Sequence, residues 1–155
     1  MSAQRQTIVQ WALSGIVAAG LVVDAIVHFD LASPFSANKT SFISEADIFR
    51  IQAVVALIAA LAVLARPRRY TAAFAFLISA SAATAVILYR YVNVGKIGPI
   101  PNMYDPFWAP SGKNLSAVAE VVAALASAAL FVVLQLKSRS AVRADAHADR
   151  ESVAH

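Results

Sequence analysis

One stretch near the C-terminus decides the fold: residues 115–136 read LSAVAEVVAALASAALFVVLQL. A membrane-spanning helix needs about 20 consecutive, mainly apolar residues, and this run carries a single charged side chain, Glu120. Three runs of similar length and character precede it, at 8–29, 46–65 and 71–94. The sequence therefore predicts an all-α fold, a four-transmembrane-helix bundle formed by residues 1–136, followed by a polar cytoplasmic tail at 137–155.

The composition supports this class and excludes others. Of the 155 residues, 59% are hydrophobic and 14% are charged, whereas a soluble domain has about 25% charged residues. A water-soluble enzyme and a disordered protein are therefore disfavoured. The chain has no cysteine, which excludes disulfides, thiol redox chemistry and cysteine-ligated zinc or iron–sulfur centres.

The basic residues predict the orientation of the spans. Lys and Arg concentrate on the cytoplasmic side of membrane proteins. In a four-span bundle the N-terminal segment, residues 65–71 and the tail lie on the same side of the membrane. These three segments hold most of the basic residues, namely Arg5, Arg66, Arg68, Arg69, Lys137, Arg139, Arg143 and Arg150. The opposite side holds Lys39, Lys96 and Lys113. We therefore expect both termini in the cytoplasm. The net charge of +4 then reflects orientation and attraction to anionic lipids, with no nucleic-acid partner.

Small residues at four-residue spacing predict close helix packing, because helices in lipid associate mainly where small side chains let the backbones approach. Each span offers such a stripe: Gly15 and Ala19; Ala56 and Ala60; Ala75, Ser79 and Ala83; Ala119, Ala123 and Ser127.

Ionisable residues interrupt the spans at one depth. They are Asp24, His28, Arg50, Arg90 and Glu120. At about 1.5 Å of rise per residue, each lies roughly 6–10 Å below the outer end of its helix. Asp24 and His28 are spaced i, i+4 and can hydrogen-bond on one helix face. Because an unpaired charge in the bilayer costs at least about 2.5–3.5 kcal/mol, we expect mutual pairing, with the two arginines as partners for Asp24 and Glu120.

Three interpretations of this cluster compete. It is a buried ion-pair network that fixes helix register, or a site for a lipid or quinone-like headgroup, or a metal or proton site that uses Asp24, His28 and Glu120. A quinone would find hydrogen-bond partners in His28, an arginine and Tyr89 or Tyr91. We assign no metal at this stage, because two arginines near the carboxylates would repel a cation.

The connection between the third and fourth spans is unusual for a solvated loop. Residues 95–113 read GKIGPIPNMYDPFWAPSGK, with four prolines that restrict the backbone and several large apolar side chains. We predict an ordered Pro/Gly/aromatic lid over the charged cluster, to which Met103, Tyr104, Asp105 and Trp108 contribute.

The pattern GxxGPxPxMYDPxW from Gly95 to Trp108 resembles small four-span membrane proteins of high-GC actinobacteria. The Asp24…His28 pair and the Phe49-Arg50-x-Gln52 start of the second span add to this resemblance. It covers nearly the whole chain except the tail, and it implies a bacterial plasma membrane but no particular activity. In span number and size alone, the chain is also similar to DoxX-like membrane proteins.

Together these features favour a multi-pass plasma-membrane protein without enzymatic activity. It would be an accessory or scaffold subunit, or a protein that binds a lipid or quinone-like ligand; the sequence requires no cofactor. One alternative is a quinone-linked redox enzyme subunit, in which His28 and Asp24 exchange protons. A second is a small oligomeric transporter, which is disfavoured because no ionisable group continues toward the cytoplasm. Besides the lipid bilayer, the expected partners are further copies of the chain or a larger membrane complex.

Overall fold

The computed structural model describes residues 3–109 and 112–153, with side chains for 4–109 and 112–140. Four α-helices account for most of these residues: α1 (Ala3–Ala32), α2 (Glu45–Ala65), α3 (Arg69–Tyr91) and α4 (Lys113–Val153). The described residues form no strand, only the isolated bridges Lys39–Ser44 and Ile97–Ile100. The predicted all-α class with four helices is confirmed.

All four helices are long and apolar enough to cross a membrane, over Gln4–Ala32, Glu45–Ala65, Arg69–Tyr91 and Lys113–Ser140. This is the architecture of a multi-pass membrane protein. The predicted fourth span ends at residue 136, whereas α4 continues as one helix to Val153. The beginning of the polar tail therefore extends the last span.

The helices form an antiparallel bundle in which α1 packs against α2 and α4, and α4 packs against α3. Contact between α2 and α3 is the least extensive of the four. Lys137 Nζ donates to Gln10 Oε1 over 3.3 Å, which joins the end of α4 to the beginning of α1. At the opposite end, here called the site end, α1 and α3 finish while α2 and α4 begin.

The interior of the bundle contains many alanine side chains together with a few larger ones such as Leu21 and Leu130, whereas most large apolar side chains face outward. Leu61 and Leu125 are each 67% exposed, while Ala56 and Ala123 are fully buried. A water-soluble bundle has the opposite distribution, since large apolar residues favour the core in water. The surface therefore suits contact with lipid.

The predicted small-residue stripes are buried in α2, α3 and α4, which confirms their role in packing. The stripe predicted for α1 is wrong, because Gly15 and Ala19 are exposed. Gly20 makes the close approach instead. A Cβ atom at this position would lie 2.9 Å from the carbonyl oxygen of Ala119 and 3.0 Å from Cβ of Ala123.

Candidate functional site

Asp24 is the centre of a hydrogen-bond network at the site end of the bundle. Its side chain is fully buried, and side chains from α1, α2 and α4 contact it. His28 Nδ1 lies 2.8 Å from Asp24 Oδ1, Gln52 Nε2 donates to Oδ2 over 3.2 Å, and the Ser116 hydroxyl lies 3.0 Å from Oδ1. Asp24 thus links α1 to both α2 and α4.

His28 is held in a fixed orientation by its own helix. Besides the carboxylate, its Nδ1 lies 3.0 Å from the carbonyl oxygen of Asp24, as the i, i+4 spacing predicts. The imidazole edge packs against the ring of Phe49, with centroids 5.3 Å apart and planes at 88°. These contacts fix the rotamer of the only histidine in the membrane-spanning part of the chain.

Glu120 lies beside this network and is only partly satisfied. It is 1% exposed. Its Oε1 lies 2.9 Å from the Ser116 hydroxyl, while Oε2 has no hydrogen-bond partner among the described residues. Because a hydroxyl carries one proton, Ser116 can donate fully to only one of the carboxyl groups of Asp24 and Glu120. The two carboxyl groups therefore compete for one donor.

A cavity of about 300 Å³ adjoins these groups, between the site ends of α2, α3 and α4. Its walls are mainly apolar, with Ile48, Phe49 and Val86 among the lining residues. Polar side chains reach the same space: His28, Glu45, Gln52, Tyr89, Arg90, Ser116 and Glu120. An apolar cavity with a few convergent polar groups is the usual form of a small-molecule site.

Arg90 lines the cavity without an ion-pair partner in the described part of the chain. Its Nε is buried and makes no hydrogen bond there. Its guanidinium carbon lies 5.2 Å from the ring centroid of Tyr91 and 5.4 Å from that of Trp108. The predicted ion pair of Arg90 with Asp24 or Glu120 is therefore not observed.

Arg50 lies apart from the network, which corrects the predicted pairing. The helix-capping interaction explains why: Ser44 accepts from the backbone N–H of Asp47, and Asp47 accepts from that of Ser44. In this position Asp47 also accepts a hydrogen bond from Arg50 Nη1 over 3.1 Å, and both side chains are about half exposed. A local acidic partner one turn away replaces the distant ones that we predicted.

The 95–113 segment contributes three of its four predicted residues to the cavity. Met103, Asp105 and Trp108 line it, whereas Tyr104 does not. The backbone N–H of Asp105 donates to the carbonyl of Tyr89 over 3.1 Å, and its side chain forms an ion pair with Lys113. Pro110 and Ser111 of this segment lie outside the described residues.

The connection between α1 and α2 is bonded to the same segment. The Thr40 hydroxyl donates to the carbonyl of Pro99 over 2.7 Å, and Asn38 Nδ2 donates to that of Asn102 over 2.8 Å. Asn38 Nδ2 also donates over 2.6 Å to Glu45, a buried carboxylate that lines the cavity. The two long connections therefore meet above the bundle.

Sequence reasoning missed four residues of this site, namely Glu45, Gln52, Lys113 and Ser116. Two of them carried a usable signal. Gln52 is an amide within an apolar span, and Ser116 is spaced i, i+4 from Glu120, so both were positioned to bond with buried carboxylates.

Comparison of the chain with protein-family models, with curated proteins and with solved structures finds no match.

Proposed function

We propose that this protein is a non-enzymatic component of the plasma membrane that binds an amphipathic, lipid-like or quinone-like ligand in the cavity at the site end. The single observation that carries this proposal is the buried Arg90 Nε, a donor without an acceptor among the described residues, beside a mainly apolar cavity. Such a site requires a ligand with an oxygen acceptor at its head and an apolar body.

The energetics of Arg90 support a bound acceptor. A buried donor without a partner costs about 1–3 kcal/mol, and more when the group is charged. A phosphate or carbonyl oxygen removes this cost and gains a charge-assisted hydrogen bond. The indole of Trp108, which contacts the guanidinium, holds Arg90 at the cavity while leaving Nε available.

The apolar walls suit the rest of the ligand. Ile48 and Phe49 from α2 and Ala85 and Val86 from α3 line the cavity. Because α2 and α3 contact each other less extensively than the other three neighbouring pairs of helices do, an acyl or prenyl chain can extend between these helices toward the lipid. The 95–113 segment would close the site from the aqueous side, as a lid.

The test is to identify what copurifies with the protein. Native mass spectrometry of gently extracted protein should show one lipid or quinone per chain. Arg90→Ala should reduce its occupancy at least about tenfold, since the lost bonds to a charged donor contribute about 1.5–3 kcal/mol. The same spectra report whether further copies of the chain associate.

Arg50→Ala is the matched control. It removes an arginine from the same end of the bundle, but one that bonds to Asp47 and does not line the cavity. This variant should keep the ligand. Equal occupancy in Arg90→Ala and the unaltered protein, or no bound molecule in the unaltered protein, would contradict the proposal.

We further propose that both termini face the cytoplasm, which places the cavity in the outer leaflet. The chain contains no cysteine, so single cysteines report their side directly. In intact cells, a membrane-impermeant maleimide should label Ser41→Cys, on an exposed site-end position, but should label Ser140→Cys only after lysis. The reverse labelling pattern would show that both termini lie outside the cytoplasm and would contradict this proposal.

A further inference from the structure

The side chains of Asp24, His28 and Glu120 form a compact set of metal-ligating groups. One ligand atom from each lies within 4.8 Å of the others. Ligands about 2.1 Å from a common ion lie at most about 4.2 Å apart, so small side-chain rotations bring all three onto one ion. We infer that these residues form a site for a divalent transition-metal cation at the floor of the cavity.

The charge of the region favours a divalent cation. When the imidazole is neutral, as metal binding requires, the four carboxyl groups of the cavity and its floor outnumber the two cations; these groups belong to Asp24, Glu45, Asp105, Glu120, Arg90 and Lys113. Lys113 pairs with Asp105, and within the described residues no Lys or Arg pairs with Asp24 or Glu120. Burying a charge without an opposite charge nearby costs several kcal/mol per ion. A divalent cation bound between Asp24 and Glu120 would remove this cost.

An independent observation points to the same place. Oε2 of Glu120 is buried and has no hydrogen-bond partner in the part of the chain that the structure describes, and the residue is 99% buried. Ser116 can satisfy only one of the two carboxyl groups that it contacts. A metal ion would give this oxygen the partner that it lacks.

From the sequence alone we assigned no metal because two arginines near the carboxylates would repel a cation. The positions of the two arginines in the structure weaken this objection. Arg50 bonds to Asp47 at the exposed end of α2. Arg90 contacts aromatic rings and forms no ion pair with the two carboxylates within the described residues. The repulsion that we expected from two arginines is therefore reduced to that of one.

The ligand set indicates the kind of ion. One imidazole nitrogen with two carboxylates suits Zn²⁺ or Mn²⁺ better than Mg²⁺ or Ca²⁺, which prefer oxygen ligands alone. Three protein ligands leave a coordination position open. Because His28 and Glu120 both line the cavity, that position would face a ligand bound there.

The experiment is a zinc titration of untagged, detergent-purified protein after removal of metals with a chelator. Calorimetry should show one Zn²⁺ per chain, and Co²⁺ should give a visible absorption spectrum that Zn²⁺ abolishes. Glu120→Gln should weaken binding at least about tenfold, because even a mutation of a group that only orients a metal ligand costs about 10- to 100-fold in affinity. Asp30→Asn removes an exposed carboxylate from the same helix as Asp24 and His28, outside the cavity lining, and should leave binding unchanged.

The other two histidines, His147 and His155, require their own control because both lie in the tail. The double variant His147→Ala/His155→Ala should retain full binding. His28→Gln provides a second test if Glu120→Gln does not fold. Loss of binding in the tail variant, absence of Zn²⁺ binding in the unaltered protein, or undiminished binding in Glu120→Gln and His28→Gln would overturn the inference.

This titration is independent of the proposed amphipathic ligand. Arg90→Ala should bind Zn²⁺ with unchanged stoichiometry even when its bound lipid or quinone is lost. A protein that binds Zn²⁺ but no amphipathic ligand would therefore reject the proposed function alone. A protein that binds the ligand but not Zn²⁺ would reject the metal site alone.

Discussion

Gly20→Val is expected to lower the free energy of unfolding by at least about 1–3 kcal/mol, the usual cost of forcing extra carbon atoms into a packed interior. The Cβ atom alone would lie 2.9 Å from the backbone oxygen of Ala119 and 3.0 Å from Cβ of Ala123. A backbone carbonyl within a helix cannot rotate away, so α1 and α4 must separate. Thermal unfolding in detergent, followed by circular dichroism, measures the effect.

Gly15→Val is the control, because it makes the same chemical change five residues earlier in the same helix. Apart from the backbone of its own helix and its two chain neighbours, no atom of the described residues lies within 4 Å of a Cβ atom placed there, and the residue is exposed. The two variants share the same change in helix propensity from glycine to valine, so the difference between them isolates packing. Equal melting temperatures for the two variants would show that the close approach of α1 and α4 does not stabilise the bundle.

Asp24→Ala is expected to reduce the stability by about 3–5 kcal/mol, as the loss of one partner from a buried pair usually does. The substitution removes the acceptor of His28, Gln52 and Ser116 together. It also leaves a cavity between α1 and α4. The melting temperature of the purified protein should therefore fall, with a lower yield of folded protein in size-exclusion chromatography.

Asp30→Ala tests whether this effect belongs to the network. Asp30 lies on the same helix but is exposed, and exposed substitutions usually change stability by no more than about 0.5 kcal/mol. Asp24→Asn adds a further comparison. It keeps the side-chain volume but replaces one carboxyl oxygen, which accepts hydrogen bonds, with an NH₂ group, which donates them. If Asp24→Ala were as stable as Asp30→Ala, the network would contribute nothing to the fold.

The number of helices and the depth of the charged residues followed from the sequence because both depend on distances along the chain. Apolar runs of about 20 residues determine the spans. A fixed rise per residue places Asp24, His28, Arg90 and Glu120 at one level. The i, i+4 relation predicted the contact between Asp24 and His28, which the structure shows.

Rotation of each helix about its axis was not predictable in the same way. In a span that is apolar on every side, no polar face indicates which residues point inward. For this reason Gly15 was expected to pack although Gly20 does so, and Arg50 was expected to reach Asp24 although it bonds to Asp47. The bonds of Asn38 and Thr40 to the 95–113 segment join residues 64 and 59 positions apart, which no local pattern encodes.

The spacing of Asp24 and His28 also has a consequence for biosynthesis. α1 emerges from the ribosome before α2 and α4, and an isolated charge in a span opposes insertion by at least about 2.5–3.5 kcal/mol. His28 enters the bilayer with Asp24, one turn away, so the carboxylate has a polar partner from the start. Gln52 follows with the second helix, and Ser116 arrives 92 residues after Asp24. The network is therefore completed only when α4 is inserted, and a chain truncated before α4 would lack Ser116 and the Glu120 carboxyl group at the floor of the cavity.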